Sequence, residues 1–542
     1  MSKNIAYSLS KVAERKKESV GIIEAKNGRT LTFGELEQKS DQYAWHLSTH
    51  GVKAGDRVML MVKPSAEFIC ITFALFKLGA PVILIDPGMG YKNLLTCISG
   101  VVPKVFIGIP QAHIFMSLFR GTFATVKQKF CVGNSNGIIG PDLRKTIDPE
   151  NNAKYPICVP EKNDLAAIIF TTGSTGPPKG VRYEHSIFAA QLEHIKSYYT
   201  ISDNDVDQPA FPLFALFSAA IGACSIIPDM DATKPAKVNP DAFIQSILKY
   251  NVTYSFGSPA LWNVVSNYCI KENIKLRSLR KILMAGAPVS GELIEQVYRI
   301  IPDDSEIHIP YGATESLPIV SIEGSEVVRE TWSMTKKGMG TCVGRPLPGI
   351  EIGIISITEG VINHITQEML LDSGEIGEII VSGNVITQSY DNNRKETELA
   401  KIYHEGKLFH RMGDTGYLDT SGRLWFCGRK SHRVQTDNGV KYTIPCEAII
   451  NQHPDVFRSA LVGITAKGKK KMPVMVIELN KSCKKNKNVL RKEIMDIAHQ
   501  SQLTRDIGSY LFHPDFPVDI RHNAKIFREK LCVWAEQKMG SK

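Results

Sequence analysis

Short, strongly apolar runs alternate with helix-like stretches along most of the chain, and this alternation limits the folds available to it. Four such runs are Arg57–Val62, Val82–Ile85, Ala166–Phe170 and Lys281–Met284. Their length and content predict buried strands. Stretches such as Glu67–Leu78 and Pro240–Tyr250 lie between them and predict helices. We therefore expect an α/β protein in which mostly parallel sheets are covered by helices.

The pattern changes twice towards the C-terminus. Between Thr341 and Val381, glycine-punctuated strands such as GIEIGIIS and GEIGEIIVSG predict a small, more antiparallel β subdomain. After Arg429 the sequence becomes more polar, which predicts a smaller α+β unit. We predict a large N-terminal domain over residues 1–430 and a small C-terminal domain over residues 431–542.

The positive charge is concentrated in that C-terminal region. The whole chain has 65 Lys and Arg against 55 Asp and Glu, a formal net charge of +10. Residues 431–542 hold 20 basic and 11 acidic residues, a net +9, which leaves 10 − 9 = +1 for residues 1–430. A positive surplus of this kind is typical of proteins that bind nucleic acid, an anionic membrane or a phosphate-rich ligand.

The cysteines and the apolar segments favour a cytoplasmic protein without a transmembrane segment. The 11 cysteines include no CxxC pair, since even Cys427 and Cys446 are 19 positions apart, so we expect free thiols and no zinc or iron–sulfur site. Met1–Tyr7 contains no apolar run typical of a signal peptide. Phe68–Ile85 and Phe211–Pro228 are apolar, but proline and glycine interrupt both. We expect a buried helix and strand in the first segment, and in the second a pocket wall, core packing or both.

The most informative motif is the loop TTGSTGPPKG at Thr171–Gly180, directly after the run AAIIF. Glycines let backbone N–H groups approach phosphate oxygens, and the Thr and Ser hydroxyls donate further hydrogen bonds. Lys179 adds a positive charge. The loop is not a Walker A motif, because no Gly-Lys-Ser/Thr closes it. The composition predicts a binding site for a polyphosphate.

This loop resembles the phosphate-binding signature of the adenylate-forming superfamily, which includes acyl-CoA synthetases, firefly luciferases and peptide-synthetase adenylation domains. Further matches follow in the family's order: LTFGELEQKS near Leu31, GVKAGDRVML near Gly51, KLGAPVILIDP near Lys77, AGAP at 285–288, YGATE at 311–315, GDTGY at 413–417 and Gly428-Arg429. The resemblance therefore spans almost the whole chain. It implies a magnesium- and ATP-dependent ligase that converts a carboxylic acid into an acyl-AMP, with the C-terminal domain acting as a mobile lid.

The resemblance also implies which residues bind the nucleotide. These are Thr171, Thr172, Gly173, Ser174, Thr175, Gly176, Lys179, Gly286, Ala287, Pro288, Tyr311, Gly312, Asp414 and Arg429. The small residues at 286–288 would let the adenine ring approach the backbone, and Tyr311 offers an aromatic face. Asp414 can accept from both ribose hydroxyls, and Arg429 can reach ribose or phosphate.

Three residues are implied to act in catalysis. Thr314 can donate to the α-phosphate, and Glu315 is a hard oxygen ligand suited to Mg²⁺. Lys525 occupies the place of the family's C-terminal lysine, where its cation would offset charge as the carboxylate attacks phosphorus. The sequence departs from the usual Gly-Lys there, since Ala524 precedes the lysine. It also has Ser431 where an acidic hinge residue is common.

The spelling of several motifs resembles one branch, the bacterial β-lactone synthetases of long-chain olefin biosynthesis. These motifs are FPLFALF, PYGATESLP, RMGDTGYLDTSGRLWFCGRKSHRV, TIPCEAI and FPVDIRHNAKIFREKL. The branch implies a long-chain 2-alkyl-3-hydroxy acid whose 3-hydroxyl closes a β-lactone and expels AMP, without coenzyme A. Phe211, Phe214 and Phe217 would line the acyl pocket.

Other readings remain open. One is a long-chain acyl-CoA ligase, or a fatty acyl-AMP ligase that delivers to a carrier protein; another is a non-catalytic ATP sensor or nucleic-acid binder. Among partners, the branch implies other olefin-pathway enzymes, whereas the basic C-terminal region suits a lid over a nucleotide better than a nucleic-acid surface. No sequence argument selects the base for the 3-hydroxyl, although His185, His432 and His522 lie near motifs.

Overall fold

The structure is a computed structural model that describes residues 3–135, 139–148, 150–171, 177–211, 213–465, 471–518 and 526–540. The α-helices of this described chain are α1 (Ala6–Arg15), α2 (Phe33–Thr49), α3 (Ala66–Leu78), α4 (Tyr91–Val101), α5 (Pro110–Leu118), α6 (Leu143–Thr146), α7 (His185–Ser197), α8 (Phe214–Ile221), α9 (Pro240–Tyr250), α10 (Pro259–Lys271), α11 (Gly291–Tyr298), α12 (Gly324–Glu326), α13 (Trp332–Lys336), α14 (Arg394–Ala400), α15 (Thr443–Ile450), α16 (Lys487–His499) and α17 (Arg528–Gly540).

Its strands form four sheets. They are β1 (Val20–Glu24), β2 (Thr30–Thr32), β3 (Val58–Met61), β4 (Val82–Leu84), β5 (Val105–Gly108), β6 (Gln128–Cys131), β7 (Leu165–Phe170), β8 (Gly180–Glu184), β9 (Val206–Asp207), β10 (Cys224–Ile227), β11 (Tyr254–Gly257), β12 (Lys281–Met284), β13 (Glu306–Ala313), β14 (Ser316–Glu323), β15 (Thr341–Pro346), β16 (Glu351–Ile355), β17 (Gly377–Ser382), β18 (Lys401–His404), β19 (Lys407–Leu418), β20 (Leu424–Arg429), β21 (Val434–Thr436), β22 (Gly439–Lys441), β23 (Val456–Thr465), β24 (Lys471–Leu479) and β25 (Ser509–Phe512).

The first sheet has six strands in the order β6-β5-β3-β4-β7-β8. Its strands are parallel except β8, which runs antiparallel to β7. Helix α3 is apolar throughout because all its residues are buried. Ser65 caps its N-terminus, and Gly79 ends it with φ +70°. The apolar segment 68–85 is thus the expected buried helix and strand, and the parallel sheet with helical cover is confirmed.

The second sheet has 14 strands and two halves of different character. Its path is β16-β17-β19-β20-β15-β14-β13-β12-β11-β9-β10-β1-β2, with β18 paired to β19. From β10 through β13 the pairing is parallel, and from β13 to β20 it is antiparallel, as the glycine-punctuated strands predicted. Because parallel strands end at the same sheet edge, the turns after β9, β11, β12 and β13 open on one side.

The chain after β20 forms a smaller α+β unit, which confirms the predicted class of this region. Strands β21 and β22 form a two-stranded sheet, and β23-β24-β25 form a three-stranded one packed with α15, α16 and α17. The exact boundary at residues 430 and 431 stays a prediction. Within the described ranges, no helix has both the length and the apolar content needed to cross a membrane.

Candidate functional site

A cavity of about 1270 Å³ opens where the parallel strands of the large sheet end. Its wall contains most of the residues that the sequence singled out, drawn from segments more than 200 positions apart. Those residues are Thr171, Lys179, Phe211, Phe214, Phe217, Gly286, Ala287, Pro288, Tyr311, Gly312, Thr314, Glu315, Asp414 and Arg429. Thr172–Gly176 and Lys525, also predicted for the site, lie outside the described residues.

In the cavity wall, Asp414 accepts hydrogen bonds from two of the other predicted site residues. The Tyr311 hydroxyl donates to its Oδ2 at 2.5 Å, and Arg429 Nη1 donates to its Oδ1 at 2.8 Å. Burial raises the pKa of the Tyr311 phenol, so it remains a donor, and Asp414 raises the pKa of the Arg429 guanidinium. This part of the wall therefore presents a carboxylate and a guanidinium held in fixed orientation.

The sheet itself brings these groups together. Strands β19 and β20 pair antiparallel with Asp414 directly opposite Arg429, and β13 carries Tyr311 into the same wall. Gly312 follows Tyr311, where a Cβ would lie 2.4 Å from the Ser316 carbonyl oxygen, so only glycine fits there. The order of residues along adjacent strands thus sets the spacing of the polar groups.

Glu315 lies in the turn between β13 and β14, and several groups hold it. The Tyr390 hydroxyl donates to Glu315 Oε1 at 2.6 Å. Thr387 donates both its N–H and its hydroxyl to the Glu315 carbonyl oxygen, each at 3.0 Å. The Tyr183 hydroxyl donates to the neighbouring Thr314 carbonyl at 2.5 Å. A carboxylate fastened in this way beside a cavity fits a hard divalent cation, because Mg²⁺ commonly uses one or two carboxylates plus substrate phosphates.

Lys179 stands near this carboxylate. Its ammonium pairs with Glu396 and lies 5.0 Å from the centroid of the Tyr390 ring. Its backbone closes the described base of the glycine-rich loop, because the Thr171 hydroxyl accepts from the Lys179 N–H at 3.0 Å. The described ends of the loop, Thr171 and Lys179, therefore line the same cavity as Glu315, as a joint site for a polyphosphate and its cation requires.

Another part of the cavity wall is apolar. Phe211, Phe214 and Phe217 all line it, and Phe214 stacks on Phe256 of β11 with ring centroids 3.8 Å apart. The other residues of α8 and most of β10 are buried in the core, and Gly222 ends the helix. Pocket wall and core packing, both weighed from the sequence, are therefore both present in the segment 211–228.

Buried hydrogen bonds of Ser218 anchor helix α8, which carries Phe214 and Phe217. Ser218 donates to Asp207 Oδ2 at 2.5 Å and lies 2.9 Å from the Tyr254 hydroxyl, while Asp207 Oδ1 has no hydrogen-bond partner. Burial raises the pKa of the Asp207 carboxyl to about 8. The carboxyl is therefore protonated at neutral pH, as a buried acid without a cationic partner should be.

The C-terminal unit also reaches the cavity. Ile526 and Arg528 line it, and Arg528 Nη2 forms a buried ion pair with Glu447 at 2.6 Å. His432 lines it too and bonds to Glu529 at 3.1 Å. The described residues on the C-terminal side of Lys525 therefore face the same space as Glu315 and Asp414.

Not every predicted histidine is near this space, and several residues were missed. His185 is buried against Phe76, where burial lowers its pKa to about 4; His522 lies outside the described residues. Burial and Arg528 lower the pKa of His432 to about 4, which leaves it neutral. Tyr390 and His410 line the cavity but carried no recognisable sequence signal.

The fold, the cavity and the family match together define an adenylate-forming ligase. The chain belongs to the AMP-binding enzyme family, which it matches over residues 9–391. It is similar to an olefin beta-lactone synthetase of Xanthomonas campestris pv. campestris, with 39% identity over 98% of both chains. A second olefin beta-lactone synthetase, from Stenotrophomonas maltophilia, is also 39% identical over 99% of this chain and 98% of its own.

Solved structures agree on the fold. The amide bond synthetase McbA from Marinactinospora thermotolerans matches with a TM-score of 0.80 and 19% identity, over 98% of this chain and 99% of its own. O-succinylbenzoate coenzyme A synthetase from Bacillus subtilis, in complex with AMP, matches with a TM-score of 0.75 and 21% identity over 97% of both chains. These likenesses establish a large N-terminal domain and a small C-terminal α+β domain.

Proposed function

We propose that this enzyme uses ATP to convert a long-chain 2-alkyl-3-hydroxy acid into its acyl-AMP, and then releases AMP as the 3-hydroxyl closes a β-lactone. The observation that carries this proposal is one cavity whose wall contains both the Asp414 and Glu315 groups and the phenylalanines at 211, 214 and 217. The 39% identity to two olefin beta-lactone synthetases supports the particular product.

In this proposal the nucleoside binds at Asp414. Its carboxylate, aligned by Tyr311 and Arg429, accepts the ribose hydroxyls, and residues 286–288 flank the adenine. Thr314 and Lys179 contact the phosphates together with the loop that follows Thr171. Charge-assisted hydrogen bonds of this kind orient a polar ligand strongly in a partly dry cavity.

Glu315 would hold the magnesium ion, which when bound neutralises charge on the phosphates. Two residues of the chain would assist this step. Tyr390 orients the Glu315 carboxylate, and Lys525 of the C-terminal domain would contact the α-phosphate. One oxygen of the substrate carboxylate forms a bond to the α-phosphorus, and the bond to pyrophosphate breaks. Fixed cations and donors stabilise the charge that develops.

Lactone formation then needs no thiol. The substrate's 3-hydroxyl oxygen bonds to the acyl carbon, the bond from that carbon to the AMP oxygen breaks, and the hydroxyl proton leaves to solvent. Because nucleophile and electrophile belong to one molecule, the enzyme need only fold the chain correctly. Phe211, Phe214 and Phe217 would confine the alkyl chains so that the hydroxyl meets the carbonyl.

We also propose that residues 431–542 form a lid that moves over the nucleotide site of residues 1–430. The reach of Ile526 and Arg528 into the cavity supports this arrangement. The net +9 of the C-terminal region then serves an anionic nucleotide.

A product assay tests the proposal. The enzyme is incubated with ATP, Mg²⁺ and a long-chain 2-alkyl-3-hydroxy acid, with and without coenzyme A, and products are followed by mass spectrometry and NMR. We expect equimolar AMP and pyrophosphate and a β-lactone in both reactions. The matched acid without the 3-hydroxyl should stop at the acyl-AMP. Strict dependence on coenzyme A, with a thioester product, would falsify the lactone step and favour an acyl-CoA ligase.

A further inference from the structure

The position of Glu315 depends on a residue from a distant strand connection. Thr387, which is 1% exposed, donates two hydrogen bonds to the Glu315 carbonyl oxygen. The adjacent Ile386 forms a β-bridge to Ser316. The segment around Thr387 therefore fixes the backbone of the turn that presents the Glu315 carboxylate.

Thr387 is held in turn by a buried lysine. Lys401, the first residue of β18, is 5% exposed and donates from its ammonium to the Thr387 carbonyl oxygen. Among the described carboxylates, none lies within ion-pair distance of this ammonium. Burial lowers the pKa of Lys401 to about 7, while the charges of Glu315 and Glu184 oppose that shift.

A buried ammonium without a paired carboxylate costs stability that an apolar side chain would not. What Lys401 supplies is a donor to the Thr387 carbonyl and, in its protonated form, a positive charge that interacts with Glu315. Lys401 does not line the described cavity wall, so its hydrogen bond reaches Glu315 through Thr387 and not through the cavity. Strand β18 needs neither of these interactions of Lys401 to pair with β19, because the two strands pair through their backbones.

We propose that Lys401 is a positioning residue that, through the Thr387 carbonyl, holds Glu315 in the orientation needed to bind a divalent cation beside the ATP phosphates. This inference rests on the proposed role of Glu315 as the cation ligand. It assigns no contact between Lys401 and the substrate.

The test uses Mn²⁺ as the probe and ATP without acid substrate, so that no turnover occurs. Free Mn²⁺ is followed by electron paramagnetic resonance in the presence of ATP and increasing enzyme, and AMP binding without metal is measured by calorimetry. We expect Lys401→Met and Thr387→Val each to weaken Mn²⁺ binding to the enzyme–ATP complex about tenfold, a loss of about 1.4 kcal/mol. AMP binding should stay within about twofold of the parent enzyme, because Asp414 and Arg429 are untouched.

Two matched variants complete the experiment. Thr387→Ser keeps the hydroxyl, and Lys407→Met removes an exposed lysine from the neighbouring strand; both should bind Mn²⁺ like the parent. Thr387→Val removes the hydroxyl contact with the Glu315 carbonyl and tests that step alone. Where Lys401→Met does not fold, Lys401→Gln, whose shorter side chain loses the ammonium donor to the Thr387 carbonyl, replaces it and should weaken Mn²⁺ binding by a similar factor. Unchanged Mn²⁺ binding in the folded variants, or an equal loss of AMP binding, would overturn the inference. Failure of the parent enzyme to form a lactone would contradict the proposed product. The Mn²⁺ comparison would still test the role of Lys401, because it does not depend on the product.

Discussion

Asp414 accepts hydrogen bonds from both Tyr311 and Arg429 in the cavity wall. Replacing it with Asn keeps the shape but removes the charge that both donors face. We expect Asp414→Asn to weaken AMP binding at least about tenfold, because hydrogen bonds to charged groups contribute about 1.5–3 kcal/mol. Calorimetric titration with AMP measures this. Tyr311→Phe, which removes only one donor, should lose less, and equal affinity of Asp414→Asn and the parent would contradict the assignment.

A second residue, Glu378, has its main effect on stability. Its buried carboxylate accepts from Arg411 at 2.7 Å and lies 3.2 Å from the Lys430 ammonium. Glu378→Gln would leave two cations without their partner, so we expect a loss of about 3–5 kcal/mol in the free energy of unfolding. Urea denaturation measures it. Glu351→Gln, which breaks the exposed pair with Lys407, is the control and should change stability by less than about 1 kcal/mol.

At the level of elements, the sequence predicts what depends on local pattern. The sequence predicts three such elements: strand β7 before Thr171, helix α9 and helix α3. Each has its own periodicity and its own end signals. The sequence does not predict the contact between Tyr390 and Glu315, because the two residues are 75 positions apart. Lys401 gave no signal either, because a single lysine at the start of a short strand predicts an exposed edge.

The buried Asp207 carboxyl beside helix α8 predicts how the stability of the protein depends on pH. Folding raises the pKa of Asp207 from an ordinary value near 3.8 to about 8, so the folded chain binds this proton more tightly than the unfolded chain. The stabilisation is complete below about pH 4 and is lost as pH rises towards 8. Between pH 5 and 8 we expect the parent to lose up to about 1.4 kcal/mol of stability per pH unit relative to Asp207→Asn.

Urea denaturation of both proteins at pH 5, 6, 7 and 8 checks this difference. Asp207→Asn keeps an acceptor for Ser218 without an ionisable group, so its stability should depend less on pH. Parallel pH profiles for the two proteins would show that Asp207 is ionised in the folded state.

For the whole molecule, the question is how two domains share one reaction. The proposed nucleoside and cation ligands lie between residues 286 and 429, and the C-terminal unit adds Ile526 and Arg528 to the wall of the same cavity. Phe527 donates its N–H to the Pro517 carbonyl at 2.9 Å, and Val518 bridges to Ile526, so the described residues before 519 and after 525 lie next to each other. The Arg528–Glu447 ion pair holds the described residues after 525 at the cavity wall.

If Lys525 acts only when the acid attacks the α-phosphate, its loss should separate binding from chemistry. We expect Lys525→Ala to lower the rate of pyrophosphate release about 10²–10³-fold, the range for removing one preorganised donor from a transition state, while ATP binding changes only a few-fold. Single-turnover release with radiolabelled ATP and calorimetric binding measure the two quantities. Lys530→Ala, in the first turn of α17 with its ammonium 4.8 Å from the Phe527 ring, is the matched control and should keep the parent rate. An equal fall in binding and rate would instead make Lys525 a general contributor to ATP affinity, and the lid would have no separate part in the chemical step.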